Sequence, residues 1–417
     1  MKTWVYSWLV YPFLYSIAML LGVGNRKIRD TLRLRAWKDF LGLRFNVGEP
    51  IDYWVHVASH GELEYAIPLL TELGRRERRV LITYYSISAK IPVEQLRERF
   101  ENVSLVVPLP HDGLGLMREF VALARKQGVR CLLLLKYELW PGVLWECNSR
   151  GIKVILVDAL KPSWFHRRLL HKLDGIFSGY ESEILSLPHK NVRVLGDTRV
   201  ERVLERISRS ESQMESILPK ETLTALAATS TLVCGSMWPP DTRVVIEAIR
   251  LLKDKGIVVN LIWVPHELDQ VERIRAETAL SKLGYQVQSA DQSGALPGKS
   301  IAVIVMKKGI LAELYHLGKL AYVGGGFGSG VHSVWEPALT GAYVACGPRT
   351  ERSPESRELQ KHGRLLEVIG PSQLAEWLGE RISLLRDKRV TTPNSLEELL
   401  SKHLGASSRI IEACERM

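Results

Sequence analysis

From residue 50 onward, short apolar runs alternate with longer stretches in which apolar residues recur at helical spacing. The runs YWVHVA (53–58), RVLITYY (79–85), VSLVVPL (103–109), CLLLLK (131–136) and KVILVDA (153–159) leave little room for a wet face. Such runs read as strands buried on both sides, the pattern of a parallel sheet. Segments such as GELEYAIPLLTELGRR (61–76) read as the helices between them. Strands alternating with helices predict a doubly wound α/β sheet. IFSGY (176–180) and VRVLG (192–196) extend this first series.

Arg199 to Thr224 is charged and helical in character, and reads as a connection. A second alternating series follows, with strands at TLVCGS (231–236), VVNLIWVP (258–265), YQVQSA (285–290), IAVIVM (301–306), LAYVGG (320–325), AYVACG (342–347) and RLLEVI (364–369). The expected fold is therefore two facing Rossmann-like domains. The boundaries fall at 1–40 for an N-terminal membrane segment, 41–205 for the first domain, 206–225 for the connector and 226–417 for the second domain. In open sheets of this kind ligands bind beyond the carboxyl ends of the strands, so a cleft between the halves is the expected site.

The N-terminal pattern differs. Thr3 to Gly24 carries no charge, contains Trp4, Tyr6, Trp8, Tyr11 and Tyr15, and is followed by Arg26, Lys27, Arg29, Arg33, Arg35 and Lys38. Roughly 20 apolar residues suffice to cross a bilayer, aromatic residues favour its interface, and a basic exit favours the cytoplasmic side. The segment reads as an uncleaved membrane anchor. Pro12 interrupts it, which leaves open a helix lying in the interface. A signal peptide fits less well, because its basic residues would precede the apolar run.

The 417-residue chain has a formal charge of +10, which favours anionic partners such as acidic lipid or phosphorylated substrate. Basic residues are not interleaved with aromatic ones on one element, so nucleic-acid binding is not expected. The five cysteines are far apart without a CxxC pair, which argues against a disulfide framework or a zinc site. The histidines show no HxxxH or HExxH spacing, and no metal site is expected.

Three segments stand where strands end. Ser59-His60-Gly61-Glu62 follows the first strand, with Gly61 suited to a tight turn and Glu62 to the first turn of a helix. A helix cap accounts for Glu62 as well as a site does; its place beyond a strand's carboxyl end favours the site. Glu138 follows the strand CLLLLK, with Trp140 and Pro141 stiffening the turn. The third segment runs VGGGFGSGVHSVWEP from Val323 to Pro337 and contains Gly324, Gly325, Gly326, Gly328, Gly330, His332 and Glu336. It does not fit the dinucleotide fingerprint, but a glycine-rich loop lets backbone amides approach a phosphate. A Glu one turn inside the following helix has the reach to accept ribose hydroxyls. Ser236 and His266 end two further strands, each within reach of a phosphate or serving only the structure.

Taken together, HVASHGELEYAIPLL, YELWPGVLWE, CGSMWPPDT and YVGGGFGSGVHSVWEPALTGAYVACGP resemble the bacterial Kdo (3-deoxy-D-manno-octulosonic acid) transferases. The resemblance runs from the N-terminus to about His362. It implies a glycosyltransferase of GT-B fold that moves Kdo from CMP-Kdo to a lipid A precursor at the cytoplasmic face of the inner membrane. It implies no metal in the transfer step and no cofactor besides the donor. It also implies that Glu62 is the general base and that Ser59, Gly61 and Glu138 shape the acceptor or sugar site. Ser236 and His266 would face the CMP phosphate, and Glu313 would lie by the nucleotide. The Gly324–Gly330 loop and His332 would hold the phosphate, with Glu336 on the ribose. The chain departs from the family in having His60 before Gly61, no arginine between Pro265 and His266, a reduced element at 309–314, and Ser333 after the loop histidine. These departures bear on donor identity and rate. A GT-B transferase using a UDP-sugar, or a basic peripheral membrane protein without catalysis, are the alternatives.

Overall fold

A computed structural model describes residues 5–35, 48–113, 115–136, 138–210, 214–227, 230–290, 292, 300–387 and 395–417. Trp4, Lys38, Tyr137 and the expected boundary at 40/41 lie outside these residues. The chain forms two compact units, one of Met1–Arg202 with Ser401–Met417, the other of Val203–Leu400.

The first unit contains, in chain order, helices α1 (Tyr11–Gly24) and α2 (Arg26–Arg35), strand β1 (Tyr53–Val57), helix α3 (His60–Arg75), and strands β2 (Val80–Tyr84), β3 (Val103–Pro108) and β4 (Cys131–Leu135). Helix α4 (Pro141–Ser149), strands β5 (Lys153–Val157), β6 (Gly175–Ser178) and β7 (Val192–Val194) follow, and helix α5 (Thr198–Ser210) runs past the unit's end at Arg202. All strands pair in parallel, in the order β3-β2-β1-β4-β5-β6-β7. The second unit contains β8 (Thr231–Met237), α6 (Pro239–Asp254), β9 (Asn260–Pro265), β10 (Gln286–Ser289), β11 (Ile301–Ile304), α7 (Leu311–Leu314), β12 (Leu320–Val323), α8 (Trp335–Leu339), β13 (Tyr343–Cys346) and β14 (Leu365–Glu367). Its strands are also parallel, in the order β10-β11-β9-β8-β12-β13-β14. Each apolar run of the sequence is one of these strands. Burial on both faces explains the runs: every residue of β1, β2 and β4 is buried.

The order of strands reverses at β1/β4 in the first sheet and at β8/β12 in the second. A reversal lets the helices leave on opposite faces and opens a crevice beyond the strand ends. Glu62 and Glu138 follow β1 and β4. Ser236 and the glycine loop stand at the ends of β8 and β12.

The C-terminus corrects the expected boundary at 417. Helix α9 (Ala406–Glu415) belongs to the first unit, where Ile410, Ile411, Ala413 and Cys414 join the core formed by α3 and one face of the sheet. Arg76 and Arg78 pair with Glu415 at 2.8 and 3.2 Å. Ile411 is fully buried, so Ile411→Ala should cost about 2–4 kcal/mol by the removed methyls and the cavity they leave. A urea midpoint equal to that of the parent protein would show that α9 is not part of this core.

No described helix is long and apolar enough to cross a membrane. Asn25 leaves helical geometry (φ −128°), so the apolar stretch ends as α1 and the basic stretch begins anew as α2. One face of the stretch is tied down. Tyr6 donates to Asp112 at 2.8 Å, Tyr11 bonds His111 at 2.8 Å, and a Cβ on Gly113 would lie 2.4 Å from the Tyr11 ring. Trp8, Leu9, Phe13, Leu14, Leu20, Leu21 and Val23 face outward, exposed. Arg35, at the end of α2, is buried and donates to the carbonyls of Leu109 and Pro110.

Candidate functional site

The first unit brings two carboxyl groups together at its strand reversal. Ser59 is extended (φ −144°) and starts α3, but its side chain makes no cap bond. The capping is done from inside the helix: the Ala58 N–H donates to Glu62 Oε2 at 2.6 Å. Gly61 lies within α3, and a Cβ there would meet only Ser59 Oγ at 3.9 Å. The expectation that Gly61 is needed for a tight turn is therefore corrected: the turn is made by extended Ser59.

Burial, and then the nearby charge of Glu138, push the Glu62 carboxyl up to about 7, against the opposing pull of the Ala58 N–H and Lys136. Burial also raises Glu138, opposed by the Trp140 indole N–H, which donates at 2.7 Å, and by Arg35. Trp140 stacks on Tyr85 with ring centroids 5.0 Å apart, and the Arg35 guanidinium covers Tyr85 at 4.0 Å. Lys136, at the end of β4, has a left-handed backbone (φ +58°) and sets its ammonium 4.0 Å from the Tyr65 ring. Strained non-glycine residues of this kind collect at functional sites. The arrangement offers a half-protonated carboxyl group near neutral pH, which is what general-base chemistry requires.

The second unit places most of its predicted residues around the ends of β8, β9 and β12. Ser236 also has a left-handed backbone (φ +52°), in an irregular stretch of β8. Trp238, His266 and His332 form a stack, with centroids 4.1 Å apart for Trp238–His266 and 4.6 Å for His266–His332. The Trp238 indole N–H donates to His332 Nε2 at 3.1 Å. Glu336 is half-buried in the first turn of α8.

The glycine loop is built differently from the expected amide cradle. Gly324 passes so close to β8 that a Cβ would lie 2.1 Å from the Ser236 carbonyl, and Gly325 (φ +96°) would strike the Gly330 carbonyl at 2.2 Å. Gly326 lies against the backbone of Gly347, while Gly328 and Gly330 have room. The N–H groups of Gly324, Gly328, Gly330 and His332 donate to backbone carbonyls, and those of Gly325 and Phe327 donate to Asp241. These amides hold the loop's own shape. His266 lies beside this loop through its contact with His332. Glu313 is engaged as well: Arg206 donates to both of its oxygens, at 2.9 Å and 3.2 Å from Nη2.

Sequence reasoning missed Asp241, His56 and Trp238. His56 had one signal, a titratable residue within an apolar strand.

Residues 35–202 match the family model described as 3-deoxy-D-manno-octulosonic-acid transferase (kdotransferase). A 3-deoxy-D-manno-octulosonic acid transferase of Aquifex aeolicus is 28% identical over 339 residues, covering 81% of this chain and 88% of the relative. One of Bordetella pertussis is 24% identical, covering 87% and 86%. Among solved structures, UDP-GlcNAc 2-epimerase from Neisseria meningitidis superposes with a TM-score of 0.63 at 14% identity, covering 88% of this chain and 100% of its own. A glycosyltransferase from Rickettsia africae does so with a TM-score of 0.59 at 11%, covering 88% and 97%. These structural likenesses show the two-sheet fold that GT-B glycosyltransferases use. The Kdo transferase relatives are glycosyltransferases. Over these residues and relatives the chain is similar to the Kdo transferases.

Proposed function

We propose that this protein transfers Kdo from CMP-Kdo to a lipid A precursor, with Glu62 as the general base. The observation that carries the reading is the Glu62 carboxyl, raised to about 7 at the reversal of the first sheet, in a chain similar to the Kdo transferases. The acceptor hydroxyl oxygen attacks the anomeric carbon and gives its proton to Glu62. The bond from that carbon to the CMP phosphate oxygen breaks, and CMP leaves with the electron pair. The anomeric centre inverts, and the reading calls on no metal or cofactor. Glu138 and Lys136 flank the base on the acceptor side. His332, His266, Ser236 and Glu336 take the nucleotide on the second unit. Incubation with CMP-Kdo and a lipid A precursor, followed by mass spectrometry of the lipid, tests the reading. A mass increase of one or more Kdo residues is expected. Products with UDP-sugars alone would replace the donor, and an unmodified lipid with every donor would remove the activity.

The same reading sets the protein at the cytoplasmic face of the inner membrane, held by α1. Its outward apolar face and the basic residues of α2 suit an amphipathic helix in the interface of an anionic bilayer. Leu20 and Leu21 are 73% and 59% exposed, so Leu20→Asp with Leu21→Asp should leave the fold intact. Sedimentation with phosphatidylglycerol vesicles should fall at least tenfold. Undiminished binding by the double variant would place the membrane contact elsewhere.

A further inference from the structure

Behind the acid pair lies a chain of buried polar groups that the transfer reaction does not use. β1 is buried throughout, yet it carries His56, one residue from its carboxyl end, with no exposure. Burial and the Arg35 guanidinium drive the imidazole down to about 3, so the ring is neutral at working pH. A neutral imidazole has one proton, on one of its two nitrogens. Nδ1 lies 2.8 Å from Thr83 Oγ1, and that same oxygen receives the Trp54 indole N–H at 2.7 Å. Indole only donates, so the Thr83 hydroxyl keeps its own proton and is able to give it to His56 Nδ1. In that arrangement the ring proton sits on Nε2. That nitrogen is buried and has no hydrogen-bond partner among the described residues.

The acceptor it faces is Glu138 Oε2, 3.9 Å away, the oxygen that Trp140 already holds. Orphaned buried donors are rare in native proteins. A movement of about 1 Å by the Glu138 carboxylate would bring the pair to an ordinary hydrogen bond. We propose that His56 is a positioning residue: the Trp54–Thr83–His56 chain presents an Nε2–H that grips the Glu138 carboxylate when substrate is bound. The inference rests on the reading of Glu62 as the base.

The consequence concerns where the proton goes. Two interacting carboxyl groups titrate as a pair, and the one with more hydrogen-bond donors keeps its charge. Glu138 is faced by Trp140 from its own loop, by Arg35 from α2 and by His56 from β1. Glu62 is faced by Glu138, Lys136 and the Ala58 N–H. With His56 engaged, Glu138 stays charged, and its charge makes Glu62 the stronger base. Without that N–H, the proton moves toward Glu138 and Glu62 becomes a weaker base.

The test compares His56→Leu, which removes the donor, with His56→Gln, which keeps an N–H, and Thr83→Val, which leaves the ring but removes its lock. In His56→Leu, kcat should fall about tenfold or more, a part of what general-base assistance supplies. The acid limb of its pH–rate profile should move to lower pH, with KM for the donor unchanged. Thr83→Val should shift the limb in the same direction, and His56→Gln should restore it. An acid limb that stays put in both His56→Leu and Thr83→Val overturns the proposal. A second readout does not depend on transfer: nitrogen NMR of the full chain with labelled histidine, the His56 signals being those lost in His56→Gln. A protonated Nε2 with an unprotonated Nδ1 supports the proposal; a protonated Nδ1 overturns it. If the parent protein transfers no sugar from any donor, the proposed function fails, while the NMR result still decides the tautomer that the His56 grip requires.

Discussion

Glu62→Gln is expected to slow sugar transfer by about 10²–10⁴-fold, the usual worth of a general base, while making the protein more stable above neutral pH. The two effects have one cause. The carboxyl ordinarily titrates near 4.5 and is held at about 7 in the folded chain. Between those values the folded chain keeps a proton that the unfolded chain has released. That contribution to stability is present at low pH and is lost as pH rises from 4.5 through about 7. At pH 8 the buried charge then costs on the order of 3 kcal/mol, taking roughly 1.4 kcal/mol for each factor of ten. Glutamine keeps an oxygen for the Ala58 N–H and carries no charge, so it should recover about 1–3 kcal/mol at pH 8 and little at pH 5. Urea unfolding at both pH values measures this, and wild-type activity should rise through about pH 7. A variant that turns over normally would pass the role of base to Glu138. A variant that melts earlier at every pH would make Glu62 a helix cap and nothing more, since it does bond the Ala58 N–H.

The strands of both sheets were legible in the chain because a parallel sheet covered on both faces needs unbroken apolar runs, and YWVHVA or CLLLLK can serve few other ends. The positions of Glu62, Glu138 and Ser236 at strand ends followed from the same pattern. What the pattern could not hold was partnership. The face of α9 that carries Ile410 and Ile411 is apolar in any setting; nothing in its spacing says that it returns to the first unit. The N-terminal stretch is uncharged from Thr3 to Gly24, but the hydroxyls of Tyr6 and Tyr11 are what bind it to Asp112 and His111, and Asn25 is what ends it. Length and hydropathy alone read it as an anchor, either crossing the bilayer or lying in its interface. The glycines of 324–330 read as room for a phosphate, whereas the backbone uses that room for its own close crossings with Ser236, Gly330 and Gly347.

Asp241 is the sharpest case, and its replacement by Ala should cost about 3–5 kcal/mol, because several buried donors lose a charged acceptor at once. The side chain is fully buried in the first turn of α6. Its Oδ2 accepts the Gly325 N–H at 3.0 Å, and its Oδ1 accepts the Tyr322 hydroxyl at 2.9 Å and the Phe327 N–H at 3.4 Å. Burial raises its carboxyl above the ordinary range, and these donors work against that rise. The residue thus fixes the end of β12 and the glycine loop to one helix. Asp241→Asn keeps the shape but turns an N–H₂ toward at least one backbone N–H, which can only donate, so it should lose about half as much. Tyr322→Phe removes a single donor and should cost about 1 kcal/mol, which serves as the control. The functional readout is calorimetry with CMP. If the loop's shape orients His332 and Glu336 toward the nucleotide, Asp241→Asn should weaken CMP binding at least tenfold, while Tyr322→Phe changes it less than twofold. Equal affinity in both variants would mean that the nucleotide does not depend on the loop, and the nucleotide site would then have to be sought away from β12.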